Sequence, residues 1–213
     1  MALEYTKKVI QHFQHPKNVG EIKNPDGKAL EGNPACGDMV GITLKIDKKT
    51  QKIKDVKFKS YGCASNIATA SVVTELAKGK TVEQAKKLGW KAVADTLGGL
   101  PNIKVHCSVL AVDTLKSAIR DYERKNGLLK EDPDSLTHDN LRDRLKSVMN
   151  PAIGADIISS NIVRSFDAKN GVVTVELKIC EDHEYASNIA EEIEEHVEKM
   201  KGFKKIEIKY SCN

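Results

Sequence analysis

The sequence predicts an α+β fold in two parts: an antiparallel sheet with packed helices, then a small α-β-β-α-β domain. Three observations carry this. Val40, Ile42, Leu44 and Ile46 alternate with Gly41, Thr43 and Lys45, the period of a half-buried strand, and Ile53 to Ser60 returns as a second strand. After His106, apolar residues at Val109, Leu110, Val112, Leu115 and Ile119 fall at helical spacing. The charge also changes sign along the chain. Residues 1–130 hold 23 Lys and Arg against 13 Asp and Glu, net +10, whereas residues 131–213 hold 11 against 17, net −6. Such asymmetry marks two surfaces and two domains. We place them at 1–127 and 136–213, joined by a charged linker over 128–135 that contains Pro133.

Taken in order, residues 4–14 read as a helix with Tyr5, Val9, Ile10 and Phe13 on one side, ended by His15-Pro16. Residues 16–38 are rich in Pro, Gly, Asn and Asp and read as an extended loop. The strands 39–46 and 53–60 follow, joined by a polar turn, with Val56 and Phe58 inward. Tyr61 to Ser65 is a strand-to-helix turn. Ser65 is the expected N-cap of a helix to about Lys78, packed by Ile67, Val72, Val73 and Leu76 and closed by Gly79. Thr81 with Gln84 forms a capping-box pattern, and 90–97 continues helically. Gly98-Gly99 and Pro101 break that run before the long helix, which reaches about Lys125 and stops at Gly127.

In the second part, Leu136, Leu141, Leu145 and Val148 predict a helix ending before Pro151. Strands over 157–166 and 172–179 are separated by Asn170-Gly171, a strong hairpin signal. Residues 183–200 form an amphipathic helix with Tyr185, Ile189, Ile193, Val197 and Met200 inward, and Phe203 to Tyr210 alternates as a last strand.

Composition excludes several classes. The chain is 40% hydrophobic and 30% charged, which suits globular cores. No apolar run of about 18 residues exists, so no membrane span is expected. The start, Met1 to Lys7, has no apolar stretch after a basic one, which predicts a cytoplasmic protein. The lysines are dispersed, with no aromatic-interleaved motif or recognition helix, so no nucleic-acid partner is expected. Five cysteines, an odd number, argue against a disulfide framework and for reduced thiols.

The chemistry lies in where those cysteines fall. Cys36 precedes the first strand, Cys63 follows the second, and Cys107 opens the long helix. If the strands pair as a hairpin, the loops carrying Cys36 and Cys63 meet at one end of the sheet and Cys107 can close over it. Asp38 and His106 stand alongside. Three thiolates suit Zn²⁺, Cu(I) or an iron–sulfur cluster. A carboxylate among them is a hard ligand in a soft set and holds iron less tightly than a fourth cysteine. Helix N–H dipoles favour a thiolate at Cys107. Without a ligand it is expected to be an exposed nucleophile of low pKa, able to accept sulfur as a persulfide. His106 and Cys107 point about 100° apart on a helix, so they do not form a catalytic dyad.

Pro34-Ala35-Cys36-Gly37-Asp38, Tyr61-Gly62-Cys63-Ala64-Ser65 and Leu100 to Ala111 resemble, in order, the three signature segments of the IscU / NifU N-terminal family of iron–sulfur scaffold proteins. The resemblance covers residues 1 to about 127. It implies an IscU-like α/β scaffold, not an enzyme, on which a [2Fe–2S] cluster is built from iron and sulfur supplied by a cysteine desulfurase. The cluster then passes to apo iron–sulfur acceptor proteins. By that resemblance Cys36, Cys63 and Cys107 are the cysteine ligands, Asp38 keeps the cluster labile, and His106 is an alternative ligand. Zn²⁺ can take the same site. The segment Leu100-Pro101-Asn102-Ile103-Lys104 stands where the family often has Leu-Pro-Pro-Val-Lys, implying docking of an Hsp70-type chaperone through Leu100, Pro101 and Lys104; Asn102 replaces the second proline. Whether one chain holds the cluster or a homo-oligomer shares it stays open.

The second part resembles the SufT/PaaD-like family through its α-β-β-α-β order and Asn150-Pro151-Ala152, where that family tends to have Asp-Pro-Glu. That family's reactive cysteine before the second helix is not matched. His183 lies near the position and Cys180 three residues earlier, so roles for Cys180, His183 and Cys212 stay open. Two other functions compete with the scaffold: a zinc-binding structural or regulatory protein, and a thiol enzyme using Cys107 as nucleophile.

Overall fold

The computed structural model describes residues 5–33, 37–129, 132 and 134–212. The chain divides into two compact units, Met1–Lys130 and Glu131–Asn213.

In the first unit, helix α1 (Lys7–Gln14) starts at Thr6, whose hydroxyl accepts the Val9 N–H. Strands β1 (Gly27–Asn33), β2 (Asp38–Asp47) and β3 (Lys52–Tyr61) form an antiparallel sheet in that order. Helices α2 (Ala64–Ala77), α3 (Val82–Lys86) and α4 (Trp90–Thr96) follow, and a 3₁₀ turn at Asn102–Lys104 leads into α5 (Val105–Lys125). Thr81 and Gln84 make both bonds of the capping box. Helix α2 is buried on nearly every side by small residues such as Ala68, Ala70, Ser71 and Val73, as suits a helix in the middle of a core. Val40, Ile42, Leu44, Val56 and Phe58 pack with it and with Leu115 and Ile119 of α5.

Two expectations are corrected here. Residues 27–33 are a strand, not loop. Ala29 and Leu30 are the only apolar side chains in β1, and Leu30 is exposed, so no alternation announces it. The strand is held by its backbone, pairing Gly27 to Leu44 through Asn33 to Asp38, while the Lys28 N–H donates to Asp121 of α5 at 2.9 Å. The N-cap of α2 is Cys63 rather than Ser65; Ser65 lies inside the first turn, buried.

The second unit holds α6 (His138–Leu145), the two-residue strands β4 (Met149–Asn150) and β5 (Ala155–Asp156), the hairpin β6 (Val163–Lys169) and β7 (Val172–Leu177), α7 (Ala186–Glu198) and β8 (Lys205–Tyr210). Asn170 and Gly171 turn the hairpin with φ of 54° and 87°, the positive values a two-residue primed turn requires. Strand β8 lies parallel to β7, with α7 as the crossover between them. Leu141, Leu145, Ile157, Val175, Ile189 and Ile193 form the core. The predicted strand over 157–166 begins only at Val163, because the preceding residues turn back and the Ile157 N–H bonds Val148 O. The expectation of reduced thiols also fails in this unit: Cys180 and Cys212 are joined as a disulfide. Their strands are parallel and in register, so the segments that leave them emerge side by side. No described helix is long and apolar enough to cross a membrane.

Candidate functional site

One end of the β2–β3 hairpin gathers the predicted residues of the first unit. Met39 pairs with Tyr61, so Asp38 at the start of β2 faces the turn Gly62-Cys63 that follows β3. Cys63 caps α2, and the first turn of α5 brings His106 and Cys107 over the same end. Cys36 lies outside the described residues.

Asp38 is 3% exposed and sits between the two thiols. Its Oδ1 accepts the Cys63 N–H at 3.0 Å, and its Oδ2 lies 3.5 Å from both Cys63 Sγ and Cys107 Sγ. The two sulfurs are 3.7 Å apart. Gly62 makes this approach possible. Its φ is +155°, and a Cβ there would fall 2.2 Å from Asp38 Oδ1 and 2.8 Å from Asn66 Nδ2. Only a bare backbone admits a buried carboxylate at that distance.

The thiols divide their proton unequally. A hydrogen bond from Cys107 brings Cys63 down to about 6, against the opposing effect of burial. The same bond, with burial and the neighbouring charges of Cys63 and Asp38, pushes the Cys107 thiol up. The expectation of an exposed, low-pKa Cys107 is therefore reversed. Cys107 is fully buried and keeps the proton, while half-exposed Cys63 carries the charge. A helix N-terminus favours a thiolate, but burial beside a carboxylate and a second thiolate outweighs it. Burial would lower the Lys104 ammonium, yet the negative charge facing it, that of Cys63 first, outweighs burial and raises it. Burial, and then the Lys104 charge, lowers the His106 imidazole and keeps it neutral.

These groups suit a metal. One atom each of Asp38, His106 and Cys107 lies within 4.8 Å of the others. His106 Nε2 is buried without a hydrogen-bond partner, as suits a nitrogen that can serve as a ligand. Sulfur, sulfur, imidazole and one carboxylate are the donor set that holds Zn²⁺ or iron.

Two residues that the sequence did not single out build the frame. Asn66 Nδ2 reaches Ser60 Oγ at 3.0 Å, Met39 O at 3.3 Å and Tyr61 O at 3.4 Å, tying both strand ends to α2. The Thr69 hydroxyl donates to Cys107 O at 3.0 Å, tying α2 to α5. The signal was Asn66 and Thr69, polar residues one turn apart in a helix of mostly small residues. Of the segment expected to dock a partner, Leu100, Pro101 and Lys104 are half-buried, and Leu100 packs on the core. Ile103 is its exposed apolar residue.

A model of the NifU-like N-terminal domain matches residues 4–128, more than half of the chain. The chain belongs to the NifU-like N-terminal domain family. A second model, described as iron–sulfur cluster assembly protein, matches residues 138–210. Two relatives in Archaeoglobus fulgidus, both named iron–sulfur cluster assembly scaffold protein IscU, are 54% identical over 123 residues, covering 58% of this chain and 79% of theirs. The IscU scaffold protein of Aquifex aeolicus is 44% identical over 131 residues, covering 62% and 83%. That of Azotobacter vinelandii is 45% identical over 130 residues, covering 60% and 100%. The NifU-like unit is thus the part that carries Asp38, Cys63, His106 and Cys107.

Proposed function

We propose that this chain is a scaffold on which a labile [2Fe–2S] cluster is assembled and from which it passes to apo-proteins. The observation that supports this best is the gathering of two thiols, a buried carboxylate and an unpartnered imidazole nitrogen at one end of a NifU-like unit. The cluster is cargo. Cys63 and Cys107, with Cys36 by resemblance, supply the thiolates. Asp38 supplies the weak oxygen ligand that lets the cargo leave, and His106 offers its free nitrogen. Zn²⁺ takes the same donors when no cluster is bound.

Exposure orders the steps. Cys63 is half-exposed and Cys107 buried, so sulfane sulfur from a cysteine desulfurase meets Cys63 first. Cys107, the persulfide acceptor expected from its chemistry, receives the sulfur from there. The segment from Leu100 to Lys104, with Ile103 exposed, is the docking surface for a partner such as an Hsp70-type chaperone. We assign the scaffold to residues 1–127, a linker to 128–135 and a SufT/PaaD-like accessory domain to 136–213, working in the cytoplasm.

The test is anaerobic purification, or reconstitution with iron, sulfide and reductant, followed by iron and acid-labile sulfide analysis. The scaffold yields a coloured protein with equal iron and sulfide. A colourless protein that takes up only Zn²⁺ under those conditions overturns the reading and leaves a zinc protein.

A further inference from the structure

Cys180 and Cys212 lie in the second unit, apart from the site above. Strands β7 and β8 run parallel, with Leu177 beside Tyr210. Both strands therefore end at the same edge, and the cysteines follow three and two residues later. Their Cα atoms are 4.6 Å apart, and the two are bonded. The backbone holds them there by other means as well. Ser211 N and Oγ both donate to Leu177 O at 2.9 Å, which fastens the segment carrying Cys212 to the end of β7. The His183 N–H donates to Cys180 O at 3.1 Å, closing a turn around Cys180 before α7. These bonds do not involve the sulfur atoms, and the Ser211 pair fastens the segment of Cys212 to the strand that leads to Cys180. Cys212 is exposed and Cys180 half-buried. The pair thus has an outer thiol that a small molecule can reach and an inner one that can resolve what forms there.

We propose that Cys180 and Cys212 are a thiol–disulfide exchange site that takes a persulfide as substrate and releases sulfide. The biological use of this step rests on the scaffold reading, since a cluster built from sulfane sulfur needs each sulfur reduced by two electrons. The Cys212 thiolate attacks the outer sulfur of the persulfide. Its S–S bond breaks, the donor leaves as a thiol, and the sulfur stays on Cys212. Cys180 then attacks Cys212 Sγ. The new S–S bond breaks, hydrosulfide leaves, and the disulfide forms. One persulfide and two thiols give one thiol, one sulfide and one disulfide: the two cysteines are oxidised and the sulfane sulfur is reduced. Two equivalents of a low-molecular-weight thiol, themselves oxidised to a disulfide, reset the pair. Sulfide diffuses, so the step needs no contact between the two units.

The test uses the full chain with Cys36, Cys63 and Cys107 all changed to Ser, reduced and freed of reductant, and cysteine persulfide as the probe. The expected result is one sulfide released per chain together with a mapped Cys180–Cys212 disulfide. Adding Cys180→Ser abolishes sulfide release above background and leaves one extra sulfur atom on Cys212 by mass. Adding Cys212→Ser abolishes both. Alanine at either position gives the same losses if thiol chemistry rather than packing is responsible. Sulfide release that survives loss of both cysteines, or a pair that stays reduced with the persulfide, overturns the proposal. Wild-type chain given iron and sulfide directly tests the scaffold alone. Cluster assembly there with no exchange at the pair sinks only this inference, and the converse sinks only the scaffold.

Discussion

Replacing Gly62 with Ala should dislodge Asp38 without substituting any of the proposed ligands. The added Cβ would stand 2.2 Å from Asp38 Oδ1 and 2.7 Å from its Cγ, where real contacts do not fall under 3.0 Å. The carboxylate must withdraw, and its 3.0 Å bond from the Cys63 N–H is lost with it. A hydrogen bond to a buried charged group contributes about 2 kcal/mol, and an alanine at that φ costs about 1 kcal/mol more. The variant should therefore be less stable by about 3 kcal/mol in urea titrations of the apo-protein. The decisive assay is a double-mutant cycle with Asp38→Ala. With the carboxylate gone, the backbone cost and the Asn66 contact remain, so Gly62→Ala should cost about 2 kcal/mol less than in the wild type. Additive effects, or an unchanged urea midpoint for Gly62→Ala, would refute the claim that Gly62 is there to admit the Asp38 carboxylate.

Three further outcomes are expected. Asp38→Ala should slow cluster loss to an apo acceptor, followed by the acceptor's spectrum; an unchanged transfer rate removes lability from the role of Asp38. Thr69→Val removes the donor to Cys107 O and should lower stability by about 1 kcal/mol in the same urea assay, while keeping the helix volume. A variant as stable as the wild type means that α2 and α5 are joined by packing alone. Asp47 accepts a bond from Lys54 and the N–H groups of Thr50 and Lys49, which hold its carboxyl at about 2 against an ordinary 3.8. A depressed pKa stabilises the fold above the ordinary value and that contribution fades as pH falls toward the folded one. The wild type should lose stability faster than Asp47→Asn as pH drops from 3.8 to about 2, and parallel profiles would dismiss the turn as a source of acid sensitivity.

Much of this protein was legible because the relevant signals are local. Alternation in 39–46, the capping box at Thr81 and Gln84, and Asn170-Gly171 each encode a backbone preference within a few residues, and each formed as read. Strand β1 escaped notice because its stability comes from pairing with β2 rather than from its own side chains. The junction positions of the candidate site were legible because Asp38 follows Gly37, Cys63 follows Gly62, and His106 and Cys107 open the apolar period of α5.

The sequence by itself determined that Asp38, Cys63, His106 and Cys107 fall at the ends of elements, and that the chain has a basic and an acidic half. Only the tertiary structure decided which thiol keeps the proton. The first turn of α5 favours a thiolate at Cys107. The fold buries that thiol against Asp38 and gives the charge to Cys63, because protonation depends on solvent and neighbours brought from distant segments. The partner of each cysteine in the second unit was likewise beyond the sequence. Cys180 and Cys212 are 32 residues apart, and the parallel register of β7 and β8 is what sets them side by side.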